Sequence, residues 1–173
     1  TNTYSIVYNL NGGTISNAPQ NYNVTHEFTL PTPSKRGYTF TGWSGTDIDG
    51  LSKNVVISKG SIGDRSYTAN WHLDTYSISY DLDAGSISNQ PNSYNVNDTI
   101  TLPQPTKKGY TFTGWSGTDI NGISKDITIS NNVGNKKYKA NWSKNSYVVS
   151  YYVNGNLWTQ RTVAYGDNIE NLN

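Results

Sequence analysis

The sequence predicts a mainly β to α+β protein, built as an elongated array of small β-rich modules. The first indication is a twelve-residue string, GYTFTGWSGTDI at 37–48, which returns unchanged at 109–120. The second is a composition of 14 Tyr, 5 Trp and 16 Gly, which favours strands and turns over helices. The third is the alternation of Tyr4, Ile6 and Tyr8 with Ser5 and Val7, which has the period of a strand.

The repeat divides the chain into two complete modules and part of a third. Trp43 and Trp115 stand in matching copies, and more than half of the other positions match at the same spacing. We therefore predict modules at 1–72 and 73–143. Residues 144–173 predict the N-terminal part of an incomplete third module, because YVVSYYVNGN, which begins at Tyr147, is similar to YSIVYNLNGG. Because this part has no counterpart of GYTFTGW, we expect the chain to be a fragment of a longer array.

The first half of a module predicts strands around irregular connections. The opening YSIVYNL is a strand that runs into a turn at Asn11-Gly12, a pair typical of hairpins. A returning strand should follow. The segment VTHEFTLPTP holds at most one turn of helix, begun by Thr25, because Pro31 and Pro33 require an extended exit.

The second half of a module carries the repeated string and the closing strands. We expect GYTFTGW to be a strand that ends in a turn, followed by strand-like runs at 55–58 and 66–71, for a total of four or five short strands. A core this small needs large aromatic side chains to bury enough area. The predicted core aromatics are Tyr38, Phe40, Trp43, Trp71, Tyr110, Phe112, Trp115 and Trp142.

The composition disfavours several classes of function. The net charge is +1, which is too balanced for a nucleic-acid partner, and no run of about 18 apolar residues predicts membrane insertion. There is no Cys, and the two His residues do not occupy matching places in the two modules. The usual pairings of nucleophile and base are therefore missing. We predict a protein that is not an enzyme and that needs no cofactor.

Asp47 and Asp119 are the only carboxylates at matching positions, in TDIDG and TDING. One carboxylate per module does not make the pair that glycoside hydrolysis uses. The pattern is similar to the start of a calcium loop, but the later ligands do not follow. We favour a side chain that satisfies its own turn, and calcium binding remains the alternative.

Two further features have both a structural and a binding interpretation. Trp43 and Trp115 either fill the cores or form a platform that stacks on sugar rings, and we favour the core. The basic pairs Lys35-Arg36 and Lys107-Lys108, which recur together with Lys53 and Lys125, are either a solvated face or a stripe that contacts a sulfated polysaccharide.

The module resembles the Listeria-Bacteroides repeat, also called the internalin B-type B repeat, over essentially the whole chain. The residues that carry the resemblance in the first copy are Pro31, Pro33, Gly37 to Phe40, Gly42 and Trp43, together with Ala69 to Trp71. The resemblance implies a module related in shape to β-grasp or mucin-binding-type domains. It also implies tandem copies on secreted or wall-attached bacterial proteins, and no chemistry.

The resemblance leads to a functional expectation with one alternative. Members of the family serve as stalks that hold a recognition domain away from the envelope, and some are thought to contact host receptors or glycans. We therefore expect a noncatalytic spacer that also offers an adhesive surface, with no particular oligomeric state implied. The alternative is an array of carbohydrate-binding modules attached to a secreted enzyme, which would require Trp43 and Trp115 to be exposed.

Overall fold

The computed structural model describes residues 2–169, which form strands and turns and contain no helix. The predicted β-rich tandem modules are confirmed. The chain separates into two compact units, Thr1–Thr75 and Tyr76–Asn173. The first unit holds one module, and the second holds a matching module followed by a hairpin.

Module 1 is a four-stranded mixed sheet with a small strand pair beside it. Its strands are β1 Tyr4–Asn9, β2 Asn21–Tyr22, β3 Phe28–Thr29, β4 Tyr38–Gly45, β5 Val56–Ile57 and β6 Arg65–Leu73. The sheet order is β2-β1-β6-β4, and β3 pairs with β5. The first and last strands, β1 and β6, are neighbours and run parallel, whereas β1–β2 and β4–β6 are antiparallel.

Module 2 repeats this arrangement in the second unit. Its strands are β7 Tyr76–Asp81, β8 Ser93–Tyr94, β9 Thr99–Thr101, β10 Tyr110–Gly117, β11 Thr128–Ser130 and β12 Lys136–Lys144. The sheet order is β10-β12-β7-β8, with β7 parallel to β12. A hairpin of β13 Ser146–Val153 and β14 Asn156–Ala164 follows, joined by a turn at Asn154-Gly155 in which both residues have positive φ. Such turns match the twist of paired strands.

The segment at Thr25, where one helical turn was considered, is an ordinary turn. The Asn23 side-chain oxygen accepts hydrogen bonds from the backbone N–H of Thr25 at 2.9 Å and from its hydroxyl at 2.6 Å. This local bonding competes with helix formation. Each module has more strands than the four or five predicted, because elements of two residues such as β2 and β3 are too short to show a period.

A β-bulge sets the direction of the aromatic side chains in the repeated string. The pairing of β4 with β6 shifts between Phe40 and Gly42, where Gly42 has φ 147°. The extra residue lets Phe40 and Trp43 both face the core, although simple alternation would place them on opposite faces. The side-chain amide of Asn70 bonds the Gly42 carbonyl at 3.2 Å and so fixes the bulge. Asn141 does the same for Gly114 in module 2.

Aromatic rings form the centre of each core. Trp43 is 0% exposed, with the rings of Phe40 and Tyr8 at 5.3 and 5.7 Å. Ala69 lies opposite Trp43 in the ladder, where its small side chain leaves room for the indole. Among the predicted aromatics, those at the centre are buried, whereas Trp71, Trp142, Tyr38 and Tyr110 are half-buried at the sheet ends. The buried members are Phe40, Trp43, Phe112 and Trp115.

Candidate functional site: the module junction

In each basic pair, the two side chains have different surroundings. The ammonium group of Lys35 donates to the Asn11 carbonyl at 2.9 Å and lies 4.1 Å from the centre of the Tyr38 ring. Lys107 bonds Asp83 at 2.9 Å and lies over the Tyr110 ring. These two lysines therefore hold turns of their own modules together. Arg36 and Lys108, the other members, are exposed.

Asp47 and Asp119 each pair with a cation of their own module. Asp47 bonds Arg65 at 2.7 Å, and Asp119 bonds Lys136 at 2.5 Å. The hydrogen bond and the positive charge of Lys136 hold the pKa of Asp119 below its ordinary value. Among residues 2–169 there is no group of three or more His, Asp or Glu side chains placed to share a metal ion. Both carboxylates are thus bonded to side chains elsewhere in their modules, and not to their own turns as the sequence favoured.

The partners of these carboxylates are buried and reach further into the module. Arg65 donates through Nε to the Tyr22 hydroxyl at 2.8 Å, and that hydroxyl donates to the Gly63 carbonyl at 2.7 Å. In module 2 the hydroxyl of Tyr94 donates to the Gly134 carbonyl at 2.6 Å. In each module, the tyrosine hydroxyl thus connects the short second strand, β2 or β8, to the loop before the last strand. Burying a charged side chain is costly unless it has an ion-pair or hydrogen-bond partner, and Arg65 and Lys136 both have such partners.

The indoles of Trp43 and Trp115 offer no platform for sugars. Both side chains are 0% exposed, and neither Nε1–H has a hydrogen-bond partner in the part of the chain that is described. A stacking platform needs a ring face open to solvent. The carbohydrate-binding alternative therefore loses the residues on which it depended.

The end of module 1 is fixed to the first residues of the repeated string. The backbone N–H of Asp74 donates to the Gly37 carbonyl at 3.0 Å. The hydroxyl of Thr39 donates to the Asp74 carboxylate at 2.7 Å. Strand β6 ends at Leu73. The next residue, Asp74, makes both of these bonds. The segment after Leu73 is therefore held against its own module.

The same bonds recur after module 2, where the following hairpin adds more. The N–H of Asn145 donates to the Gly109 carbonyl at 3.0 Å, and the Thr111 hydroxyl donates to the Asn145 side-chain oxygen at 2.6 Å. The N–H of Tyr165, just after β14, donates to the Asn145 carbonyl at 2.8 Å. Its ring makes an edge contact with Tyr110 at 6.0 Å between centres. Module 2 and the hairpin thus share a bonded junction.

Gly109 makes this contact sterically feasible. A Cβ atom at this position would lie 2.1 Å from atoms of the Tyr165 ring, and the backbone has φ 77°. Lys144 and Asp167 add an ion pair across the junction at 3.9 Å. None of these junction residues was predicted from the sequence as functional. The signal that could have indicated a bonded junction was the short connection between modules, in which only Asn145 separates β12 from β13.

These features define the class: a tandem-repeat protein in which residues between successive elements are hydrogen-bonded to the preceding module. The chain belongs to the Listeria-Bacteroides repeat family, because the sequence profile of the Listeria-Bacteroides repeat domain matches residues 4–63 and 76–143.

Two relatives illustrate where such repeats occur. The chain is 30% identical over 179 residues to a protein of Evansella cellulosilytica named as a Gly-rich membrane protein, with 97% of this chain and 20% of that relative covered. It is 31% identical over 147 residues to Internalin H of Listeria monocytogenes, with 84% of this chain and 26% of that relative covered. The chain therefore spans about a fifth to a quarter of the length of these relatives.

No solved structure matches the chain. Within residues 2–169, no helix is long and apolar enough to cross a membrane.

Proposed function

We propose that this chain is a noncatalytic stalk segment of a bacterial surface protein, in which each module adds length and each junction limits bending. The observation that supports the proposal is the bonded junction at Asn145, where two backbone hydrogen bonds and the Tyr165 ring connect the hairpin to module 2. A freely pivoting linker would be rich in Gly and Ser and would make no such bonds. The names of the two relatives, a membrane protein and an internalin, are consistent with a place at the cell surface.

Changing Gly109 to alanine tests the stalk proposal at this junction. The new methyl group would overlap the Tyr165 ring, so we expect the ring to leave its place and the junction to loosen. The backbone amide of Tyr165 should then exchange its hydrogen faster, because its bond to the Asn145 carbonyl is no longer held. Hydrogen exchange of the whole chain, followed residue by residue, measures this.

Gly122→Ala provides the matched control. Gly122 has φ 81°, close to that of Gly109, but a Cβ there would meet nothing within 4 Å. The control thus carries the same backbone strain without displacing a side chain. Equal exchange of the Tyr165 amide in the two variants would contradict a junction held by that ring, and a stalk would then lack its supporting contact.

We further propose that the exposed basic side chains form an adhesive face for a host receptor or a sulfated polysaccharide. Arg36 and Lys108 are exposed, and each follows a lysine that is bonded within its own module. Weak contacts repeated from module to module would add through avidity.

Binding to sulfated and neutral polysaccharides tests the adhesive face. We expect Arg36→Ser with Lys108→Ser to abolish saturable binding to the sulfated polymer. Lys59→Ser with Lys137→Ser makes the same change in net charge at exposed lysines that are not part of the basic stripe, and should leave binding intact. Equal loss in both double variants would indicate a nonspecific charge effect, and no binding by the unaltered chain would leave the stalk role alone.

A further inference from the structure

We propose that each complete module is a mechanical clamp that resists tension applied between its two ends. The inference rests on the stalk proposal only in assuming that force reaches the module through the chain that enters and leaves it. The structural basis is the sheet order, in which the first strand of the module is the direct and parallel neighbour of the last strand. This holds for β1 with β6 and for β7 with β12.

Parallel terminal strands determine how tension acts on the hydrogen bonds between them. A pull on the chain before Tyr4 draws β1 toward its own start, and a pull after Leu73 draws β6 toward its own end. Because the strands are parallel and adjacent, these opposite forces slide one strand along the other. All the bonds between them are then loaded together and must fail together. In an antiparallel terminal pair, both ends would lie at the same side and the bonds would fail one at a time.

The paired stretch of β1 and β6 spans Ile6↔Arg65 to Asn9↔Thr68, and side chains extend it at both ends. Before the stretch, the N–H of Ser5 donates to the Asp64 carboxylate at 2.7 Å. After it, the indole N–H of Trp71 donates to the Leu10 carbonyl at 3.0 Å. These two bonds lie across the same sliding boundary and add to its resistance.

Module 2 has the same bonds with one substitution. The N–H of Ser77 donates to the side-chain oxygen of Asn135 at 3.0 Å, in the place of the bond to Asp64. The indole N–H of Trp142 donates to the Leu82 carbonyl at 3.1 Å. Asp and Asn differ in charge, but each places a side-chain oxygen that accepts a hydrogen bond here, so the bond is the feature that both modules retain.

Packing beneath the parallel pair opposes sliding as well. The side chain of Ile6 in β1 is 4% exposed, and that of Tyr67 in the adjacent strand β6 is 1% exposed. The hydroxyl of Tyr8 donates to the Pro19 carbonyl at 2.9 Å, which ties the middle of β1 to the connection after it. Displacement of β1 by one residue would move these side chains out of the core.

Pulling single molecules in two directions tests the clamp. The chain has no Cys, so pairs of introduced cysteines give unique attachment points in the full chain. Asn2→Cys with Thr75→Cys loads β1 against β6 in shear, and both sites are exposed. Asn2→Cys with Ile62→Cys pulls from the same end of the parallel pair, so the bonds should open one after another; Ile62 is 66% exposed. We expect unfolding of module 1 to need a several-fold higher force in the first geometry at one loading rate.

Equal unfolding forces in the two geometries would overturn the proposal. Trp71→Phe provides a second measurement, because it removes the bond to the Leu10 carbonyl and keeps an aromatic ring. It should lower the force in the shear geometry and leave the other geometry nearly unchanged, whereas an equal proportional fall in both would contradict a clamp role for this bond.

The outcomes also separate the clamp from the stalk. Both pulling geometries act within module 1, so they report on the clamp whatever the result of the junction experiment. Unequal unfolding forces together with equal exchange of the Tyr165 amide in the two glycine variants would support the clamp and contradict the stalk. Equal unfolding forces together with faster exchange in Gly109→Ala would support the stalk and contradict the clamp.

Discussion

Changing Trp43 to alanine is expected to lower the stability of module 1 by about 3–5 kcal/mol, the range found when large aromatic side chains are removed from cores. Trp43 is fully buried and is surrounded by the rings of Tyr8, Phe40 and Tyr67. Small domains are stable by only about 5–15 kcal/mol, so the loss would leave the module close to unfolding. Differential scanning calorimetry should show its transition moved down by more than about 12 °C, at roughly 4–8 °C per kcal/mol.

Two comparisons make this result interpretable. Trp43→Phe should cost clearly less, because a ring remains and the indole N–H, which has no hydrogen-bond partner in the described chain, is removed. Module 2 supplies the second comparison through Trp115, which has the same ring neighbours in Tyr80, Phe112 and Tyr138. A melting curve left unchanged by Trp43→Ala would show that the indole does not hold the core together.

Changing Gly45 to alanine is expected to destabilise module 1 by about 2–6 kcal/mol, combining steric overlap with backbone strain. A Cβ at Gly45 would lie 2.1 Å from the Ser66 carbonyl oxygen, and the residue has φ 138°. That oxygen belongs to β6 and accepts the N–H of Thr46 at 3.0 Å, so it is not free to move aside. Gly117 in module 2 meets the Lys137 carbonyl at the same distance.

Gly50→Ala separates the two causes. Gly50 also has positive φ, at 72°, but a Cβ there has nothing within 4 Å. We expect it to cost about 1–2 kcal/mol, the strain of a left-handed conformation alone. Chemical denaturation monitored by circular dichroism gives both values. If Gly45→Ala were no more destabilising than Gly50→Ala, the close approach of β4 and β6 would not limit the residue at this position.

The features that depend on local chemistry could be predicted from the sequence. The repeated string predicted a strand with aromatic core side chains, and the modules are β-rich as expected. The Asn-Gly pair at 11–12 forms its predicted turn because both residues tolerate positive φ. The strand that returns along β1 is β2 at 21–22, however, and not the residues directly after the turn. Large buried aromatics in a small domain leave few alternatives for what fills the core.

The features that the sequence did not predict depend on contacts between distant residues. Nothing in YSIVYN indicates that its partner is the last strand or that the two run parallel, because strand order has no local pattern. The bulge at Gly42 was also missed, since one extra residue does not interrupt the period visibly. The fixed places of Lys35 and Lys107 depend on turns far away in sequence, so a charged pair alone could not distinguish a structural lysine from an exposed one.

The pairing of first and last strands also determines the order of events when a module folds. Ser5 and Asp64 are 59 positions apart, so β1 can acquire its central partner only after nearly the whole module has been made. Contacts so distant in sequence form slowly. Meanwhile β4 and β10, which are both YTFTGWSG, can each pair with the last strand of the other module. Exchange of like strands is a known failure of repeat proteins. We therefore expect the distant pairing of first and last strands to make refolding slow, and the identity of β4 and β10 to allow crossed pairings between modules.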